Sequence, residues 1–531
     1  MPRSPMSTAS ASLSLALVLS LVGCSGSTQG SSGSAKNGRF SIAVGEPDHL
    51  TPGRSTVGWD ELRVLFAPLV KVDQQGKVSY VQAQSVTSTD ARHWTIKLRS
   101  GWTFHNGEPV TAQSYADAWN ATAYGPNGWA ANGQLAGIEG YAALNPAKGK
   151  PKTTTLSGVK VVDATTLKVT LSSPDSQFPL QLTPNQTGFY PMPKAAFKDP
   201  KAYDKKPIGD GPFKMTSAWT ADKGTTVTGY AAYKGTKPKS SAITFKSYTD
   251  LNTAYTDALA GNTDIISVPV SKYGQAKADF GDRLYTYEAP SLEFMGLPLY
   301  DKRFEDVRLR KALSMAINRS AVNKAIYGGL FTPATSLTPP SEVGAETGLC
   351  DACAYDPAAA KKLLAEAGGW SGELTITYPG GLGLDELYKA VANQIRQNLD
   401  LSDVKAEPTA DWAEFSEKVI GKKISGMTHA HWGALYPSMQ STLRGIFTKG
   451  GGCACSNYSA TGVDTLLRQG DRATDAASAR RLYNDAQKRI LQDFPVIPLF
   501  YGSYVYAGTD RVTGVTVGPA DVELSKVSVV G

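Results

Sequence analysis

Apolar and polar residues alternate at positions 94–98, and this spacing predicts a β-strand with one buried face. The alternation resumes at residues 102–104, and Asn106-Gly107 is typical of a turn. Thr111 then occupies a helix N-cap position, and apolar residues follow it at helical spacing. The pattern therefore predicts a hairpin that leads into a helix.

A second stretch, residues 374–432, alternates between short apolar runs and helical stripes. These predict strands at 374–378, near Val404 and at 424–432, with helices at 384–399 and 411–419. Strands and helices in this order predict a largely parallel sheet. Because ligands bind beyond the C-terminal ends of such strands, we expect the segment 429–437, His-Ala-His-Trp-Gly-Ala-Leu-Tyr-Pro, at a cleft.

The length and composition indicate a large soluble protein. A chain of 531 residues is too long for one core and predicts two or three lobes. Apolar residues make up 41% and charged residues 19%, as in ordinary globular proteins. The net charge is +7, but Lys and Arg never form a run longer than two, so nucleic acid is not an expected partner. We expect a monomer.

The N-terminus has the pattern of an export signal. Residues 1–24 contain a positive charge, an apolar stretch too short to span a bilayer, and a final Leu-Val-Gly-Cys. This ending resembles the bacterial lipobox, which implies that Cys24 is acylated and becomes the first mature residue. The alternative is an ordinary signal peptide with an incidental cysteine. Residues 25–38 are rich in Ser and Gly and predict a flexible tether.

Several segments together resemble the extracytoplasmic solute-binding proteins, family 5, of peptide-type ABC importers. The first is Trp-Thr-x-x-Leu-Arg followed by Trp-x-Phe-x-x-Gly-x-Pro-Val-Thr-Ala, residues 94–112. The second is the turn Gly209-Asp-Gly-Pro-Phe213, whose glycines we expect to need positive φ. The third is Val-Arg-x-x-Lys-Ala through Ile-Asn-Arg, residues 307–319. Asp356-Pro357 also predicts a helix start. The resemblance covers almost all of the mature chain.

The resemblance implies an α/β, bilobal, periplasmic-binding-protein-like fold of class II, cluster C type, with an extra small domain. The expected organisation is a lipoprotein signal peptide (1–24), the tether (25–38), lobe I (39–75, 206–290 and 503–531), an extra domain II (76–205) and lobe II, or domain III (291–502).

The function implied by the resemblance is that of the substrate-binding component of an ABC importer, held to the outer face of the bacterial cytoplasmic membrane by its lipid. It would bind oligopeptides between the lobes and deliver them to a membrane permease, while separate subunits hydrolyse ATP. No cofactor is expected. A nickel chelate, haem or a modified peptide signal is an alternative ligand.

Motifs for catalysis are scarce. The sequence lacks Gly-x-Ser-x-Gly, His-Glu-x-x-His and a complete phosphate loop, and it contains five histidines. We therefore predict that the chain is not an enzyme. An extracellular hydrolase remains an alternative, because folding can bring carboxylates together without a sequence motif.

The candidate ligand-binding residues lie in a predicted rim loop of the first lobe and near the predicted strand ends. They are Glu46, His49, Trp412, His429, His431, Trp432, Leu435, Tyr436 and Tyr501. Oligopeptide binders of the family place an Asp for the peptide amine where this chain has Leu435, and some place a carboxylate-binding Arg where it has His429. Because of these departures, the sequence does not fix the ligand, and the alternatives are a longer, blocked or modified peptide or another solute.

Four further cysteines, Cys350, Cys353, Cys453 and Cys455, are expected to form two disulfides in an oxidising compartment. Three connectivities are possible, and we favour local pairing over pairing between the two loops. A metal site built from His429, His431 and the Cys-x-Cys pair is a weaker alternative, and we predict no metal.

Overall fold

The computed structural model describes residues 38–449, 453 and 455–530. Cys24, the signal peptide and the tether up to residue 37 lie outside the described residues. No helix in the described part of the chain is long and apolar enough to cross a membrane.

Strands and helices occur throughout the described chain. The strands are β1 Arg39–Val44, β2 Val70–Val72, β3 Val78–Tyr80, β4 Ala83–Thr87, β5 His93–Leu98, β6 Val159–Asp163, β7 Thr166–Thr170, β8 Phe213–Met215, β9 Thr225–Gly229, β10 Ala242–Ser247, β11 Ile265–Ser267, β12 Leu284–Gly296, β13 Thr332–Pro333, β14 Leu374–Pro379, β15 Val404–Thr409, β16 Met427–Gly433, β17 Val496–Gly508, β18 Val512–Thr513, β19 Val517–Gly518, β20 Asp521–Val522 and β21 Ser528–Val529. The helices are α1 Trp59–Leu65, α2 Ala112–Ala123, α3 Tyr141–Leu144, α4 Phe178–Gln181, α5 Ala195–Lys198, α6 Pro200–Lys205, α7 Leu251–Leu259, α8 Tyr273–Phe280, α9 Val307–Met315, α10 Arg319–Tyr327, α11 Pro357–Glu366, α12 Asp385–Asn398, α13 Trp412–Ile420, α14 Met439–Phe447, α15 Thr461–Arg472 and α16 Ala476–Asp493.

The main sheet is mixed. Its strand order is β15-β14-β16-β12-β17-β11-β1-β10-β9-β8, with β13 paired to β17. The predicted βαβαβ run is confirmed, because β14 pairs in parallel with both β15 and β16. The prediction of a largely parallel sheet is wrong, because β12, β17, β9 and β8 join through antiparallel pairs. Periodicity identifies strands but not their directions.

Two long strands, β12 and β17, connect two hydrophobic cores. The first core contains Phe40, Trp119 and Ile243, and the second contains Leu292 and Ile376. The antiparallel pairing of the two strands shifts register between Glu288 and Leu292, where the chain passes from one core to the other. Such an irregularity bends and twists a strand pair. The result is a bilobal α/β architecture.

The stretch around residues 94–119 forms only part of the predicted hairpin. The strand β5 is confirmed, but it pairs with β4 and β7 in a four-stranded antiparallel sheet. Residues 102–104 are not a strand; they contribute a single bridge from Thr103 to Pro109. Thr111 caps α2 with its side chain, as predicted. Short-range capping was therefore predictable, whereas the strand partner was not.

The glycines of the 209–213 turn are required for a reason other than the expected one. Neither has a positive φ. A Cβ on Gly209 would lie 1.9 Å from the carbonyl oxygen of Leu65, and one on Gly211 would lie 2.5 Å from that of Val64. The expectation of positive φ is wrong, because close approach of the end of α1 is what excludes a side chain here.

Candidate functional site

The main sheet places Glu293 of β12 beside two histidines of β16. Glu293 lies opposite His431, and His429 is two residues along the same face. Nδ1 of His429 is 2.9 Å from Oε1 of Glu293, and Nδ1 of His431 is 3.2 Å from Oε2. The hydroxyl of Tyr388, from α12, lies 2.8 Å from Nδ1 of His429 and 3.3 Å from Oε1 of Glu293. We call these residues the Glu293 cluster.

Burial and hydrogen bonding act in opposite directions on the Glu293 cluster. Burial alone would raise the pKa of Glu293, but hydrogen bonds with His429 and His431 outweigh it and hold the pKa below its ordinary value. Burial would lower the pKa of His431, but the hydrogen bond with Glu293 and the negative charge of Glu293 together outweigh it, so that this pKa is raised. The site therefore holds a negative carboxylate beside an imidazole that protonates readily.

A cavity of about 490 Å³ opens beside this cluster. Its lining includes Glu293, His431, Glu386, Tyr327, Phe331, Phe500 and Tyr501. It also includes Gly502, next to the register shift of β12 and β17. The cavity is of a size and apolar character that suit a small-molecule or peptide side-chain site. We call it the hinge cavity.

Two predicted ligand contacts are buried. The side chain of His429 is 6% exposed and is hydrogen-bonded to Glu293 and to Tyr388, so it positions Glu293. Tyr501 is 1% exposed, and its hydroxyl accepts from the backbone N–H of Thr335 and of Ser336. Tyr501 is therefore mainly a core residue whose ring forms part of the cavity wall. His431, by contrast, has a side chain that is 52% exposed.

The two predicted tryptophans have different surroundings. Trp412, at the start of α13, is 56% exposed and packs on Phe415, whose ring contacts His429. Trp432 packs against α14, where a Cβ on Gly445 would lie 1.9 Å from its ring. Trp432 and His431 are neighbours on β16, so their side chains leave opposite faces of the strand. Trp412, but not Trp432, is associated with the Glu293 cluster.

Leu435 and Tyr436 face a different group of residues. Leu435 is 56% exposed, its N–H donates to Ser441, and its carbonyl oxygen accepts from the side chain of Gln186. Tyr436 donates to Gln440 and lines a cavity of about 410 Å³. These two residues therefore link the end of β16 to the segment predicted as domain II.

Glu46 and His49 have partners within their own half of the molecule. Glu46 accepts from the Trp219 indole at 2.5 Å and from the Ser247 hydroxyl at 2.8 Å. Nδ1 of His49 is 2.6 Å from a carboxylate oxygen of Asp204. Neither residue contacts the Glu293 cluster through any of these bonds.

The cysteines pair locally. Cys350 bonds to Cys353 and Cys453 to Cys455. No group of three or more His, Cys, Asp or Glu within the described ranges could hold a metal ion.

Sequence reasoning missed Glu293, Glu386 and Tyr327. Glu293 offered one signal, because it is an acid within the apolar strand sequence Leu-Glu-Phe-Met at 292–295. A buried acid in a central strand needs partners, and this requirement often marks a functional site. Its partners come from β16 and α12 and could not be inferred from spacing.

Two lobes joined by paired crossing strands, with a cavity beside the crossing, define a bilobal binding protein. Residues 77–452 match the model of the bacterial extracellular solute-binding proteins, family 5, and the chain belongs to this family. It is the substrate-binding component of an ABC importer and not an enzyme, which excludes the hydrolase alternative.

Known relatives agree with this assignment. The chain is 29% identical to the glutathione-binding protein GsiB of Escherichia coli and to that of Shigella flexneri, over 480 residues and 86% of each chain. The unliganded open form of the murein tripeptide binding protein MppA superposes with a TM-score of 0.83 at 24% identity, covering 93% of this chain and 98% of that one. Haemophilus influenzae OppA, in complex with a peptide, superposes with a TM-score of 0.70 at 21% identity, and the match covers 94% of this chain and 100% of that one. These structures share the fold.

Proposed function

We propose that this protein is a lipid-anchored, monomeric receptor that binds peptides in the hinge cavity and delivers them to its permease. The observation that carries the proposal is the position of that cavity: it has aromatic walls and lies beside the register shift through which the two cores are connected. Closure about this crossing would enclose a bound solute.

The chemistry of the cavity suits a peptide. Aromatic walls bury side chains of different shapes, while the hydroxyl of Tyr327 and the side chains of Glu293 and His431 offer polar contacts to a backbone. The curated relatives that cover most of this chain are named for binding glutathione, which is itself a short peptide. By the family resemblance, Leu435 stands where oligopeptide binders have an Asp for the peptide amine, and His429 stands where some members have a carboxylate-binding Arg, so the peptide's ends need other partners.

Native mass spectrometry of the purified protein, followed by calorimetry with the peptides it retains, tests the peptide ligand. We expect bound masses in the peptide range and, with ligand, a more compact particle in small-angle scattering. A hundredfold excess of ligand over Kd should raise the free energy of unfolding by about 2.7 kcal/mol. Recovery of a nickel chelate or haem with no peptide bound would contradict the proposal.

The lipid anchor has its own test. Cys24→Ala should move the protein from the membrane fraction to the soluble or secreted fraction, and the intact mass of the wild type should show an acylated Cys24. Cys24→Ser is the conservative control and should behave like Cys24→Ala, because the thiol is what acquires the lipid. An unmodified mature N-terminus at another residue would contradict the anchor.

A further inference from the structure

The charged side chains that line the hinge cavity are acidic. Glu293 reaches it from β12 and Glu386 from the first turn of α12. None of the described residues that line the cavity is Lys or Arg, and its one imidazole, His431, is already hydrogen-bonded to Glu293. A cavity with this lining favours positive charge over negative charge.

The two carboxylates line the same cavity as an aromatic wall. Tyr327, Phe331 and Phe500 form that wall, with ring centroids 4.8 Å apart for Tyr327 and Phe331 and 6.2 Å apart for Phe331 and Phe500. Glu293, Glu386 and Tyr327 all line this cavity, and burial, followed by the charges of the two carboxylates, raises the pKa of the Tyr327 hydroxyl. Aromatic faces attract ammonium and guanidinium groups, and more strongly when water is excluded.

We propose that the hinge cavity binds a cationic nitrogen group of the solute, a primary ammonium or a guanidinium, where Glu293 and Glu386 line it together with the aromatic wall. This proposal rests on the proposed solute-binding function of the same cavity and gives its ligand a chemical class. Such a group would neutralise the negative charge that these carboxylates bring to the cavity.

His431 makes the binding of the cation dependent on pH. When His431 is protonated, its imidazolium pairs with Glu293 and competes with the cationic group of the solute for the same carboxylate. The other titratable groups around this pair are His429 on β16, Glu386 and Tyr388 on α12, and Tyr327 on α10. Affinity for the cation should therefore increase as the pH rises through the pKa of His431, which lies above its ordinary value.

Equilibrium dialysis with defined probes tests the proposal on the full-length protein. The probes are Ala-X-Ala peptides in which X is Lys, Arg, norleucine, citrulline or Glu, their N-acetylated forms, and the free cations agmatine and cadaverine. We expect about tenfold tighter binding of the cationic member of each matched pair, typical of a charge held by carboxylates within a cleft. The acetylated set distinguishes a peptide amine from a side chain as the source of the charge.

Variants assign the preference to residues. Glu293→Gln and Glu386→Gln should each remove most of the preference for cationic probes. Because Glu386 is exposed, its replacement should not impair folding. Glu407→Gln, an exposed change on β15 outside the cavity, should leave the preference intact.

The outcomes separate the two proposals. Peptide binding without a preference for cations, or a preference that survives both variants, would overturn the cation site and leave the peptide receptor. Binding of agmatine that depends on Glu293, with no peptide bound, would overturn the peptide receptor and leave the cation site. Binding of no probe at all would overturn both.

Discussion

Asp175 and Asp471 accept hydrogen bonds from the same nitrogen, Nε2 of Gln440, at 2.8 and 2.7 Å. Asp175 precedes α4, whereas Asp471 belongs to α15, so one amide joins two distant segments of the chain. Burial, and then the charge of Asp471, raises the pKa of Asp175. Gln440 therefore bridges two carboxyl groups, one half-buried and one buried, that would otherwise repel each other.

Gln440→Leu should lower the free energy of unfolding by roughly 1–2 kcal/mol at pH 7, because each carboxyl loses one of its donors. Asp175 keeps its hydrogen bonds from Gln177 and Gln181, and Asp471 keeps those from Tyr483 and Arg444. The loss should shrink at pH 4. Asp175, whose pKa is raised, takes up a proton there and no longer repels Asp471. Urea unfolding at the two pH values measures both effects.

Gln113→Leu is the matched control for this variant. Gln113 also donates to a carboxylate, that of Asp117, but on an exposed face of α2. Its replacement should cost less than about 0.5 kcal/mol. Equal losses for the two variants would show that the shared amide has no special role.

Glu61 in α1 should make stability fall with pH. Its side chain is 1% exposed, and neither carboxyl oxygen has a hydrogen-bond partner among the described residues. Burial, and then the charge of Asp60, raises its pKa from 4.5 to about 8. Between these values the folded state holds a proton that the unfolded state has released, so the free energy of unfolding decreases as the pH rises.

Glu61→Gln removes that titration. The free energy of unfolding of the variant, relative to that of the wild type, should increase by on the order of 3 kcal/mol between pH 4 and pH 8. Chemical denaturation across this range gives the difference. Glu407→Gln, on the exposed surface, should show no such gain. A wild-type stability that is flat between pH 5 and pH 8 would disprove the assignment.

Oxidation of the four described cysteines can be measured directly. Exported protein, denatured without reduction, should contain about zero free thiols among Cys350, Cys353, Cys453 and Cys455, since all four are paired. Protease mapping should recover each pair within one peptide. Four free thiols with one bound metal ion, or a disulfide between the two loops, would contradict this prediction.

Leu435→Asp should create a preference for peptides with a free amine. Leu435 is 56% exposed, so the new carboxylate stays hydrated and stability should change by less than about 0.5 kcal/mol. An exposed charge pair contributes up to about 1 kcal/mol, which predicts a two- to fivefold preference over the N-acetylated peptide. Calorimetry on matched peptides measures it. Ile420→Asp, at a site 70% exposed, adds the same charge elsewhere and should produce no preference.

The sequence alone was enough to predict local features of this protein and the family to which it belongs. Thr111 and Asp356 cap α2 and α11 as predicted, because a cap needs only hydrogen bonds to backbone groups two or three residues away. The family resemblance is confirmed over residues 77–452. Local pairing of the cysteines was also favoured correctly, since neighbours in sequence need no tertiary contact to meet.

Only the tertiary structure decided what surrounds the hinge cavity. Glu293 meets His431 because β12 and β16 pair antiparallel in one particular register, and a shift of one residue would turn Glu293 to the other face. Tyr501 is buried because Thr335 and Ser336 arrive from another loop to bond its hydroxyl. Periodicity shows which residues share a face of a strand, but contacts between strands depend on register and direction, which the entire sheet fixes at once.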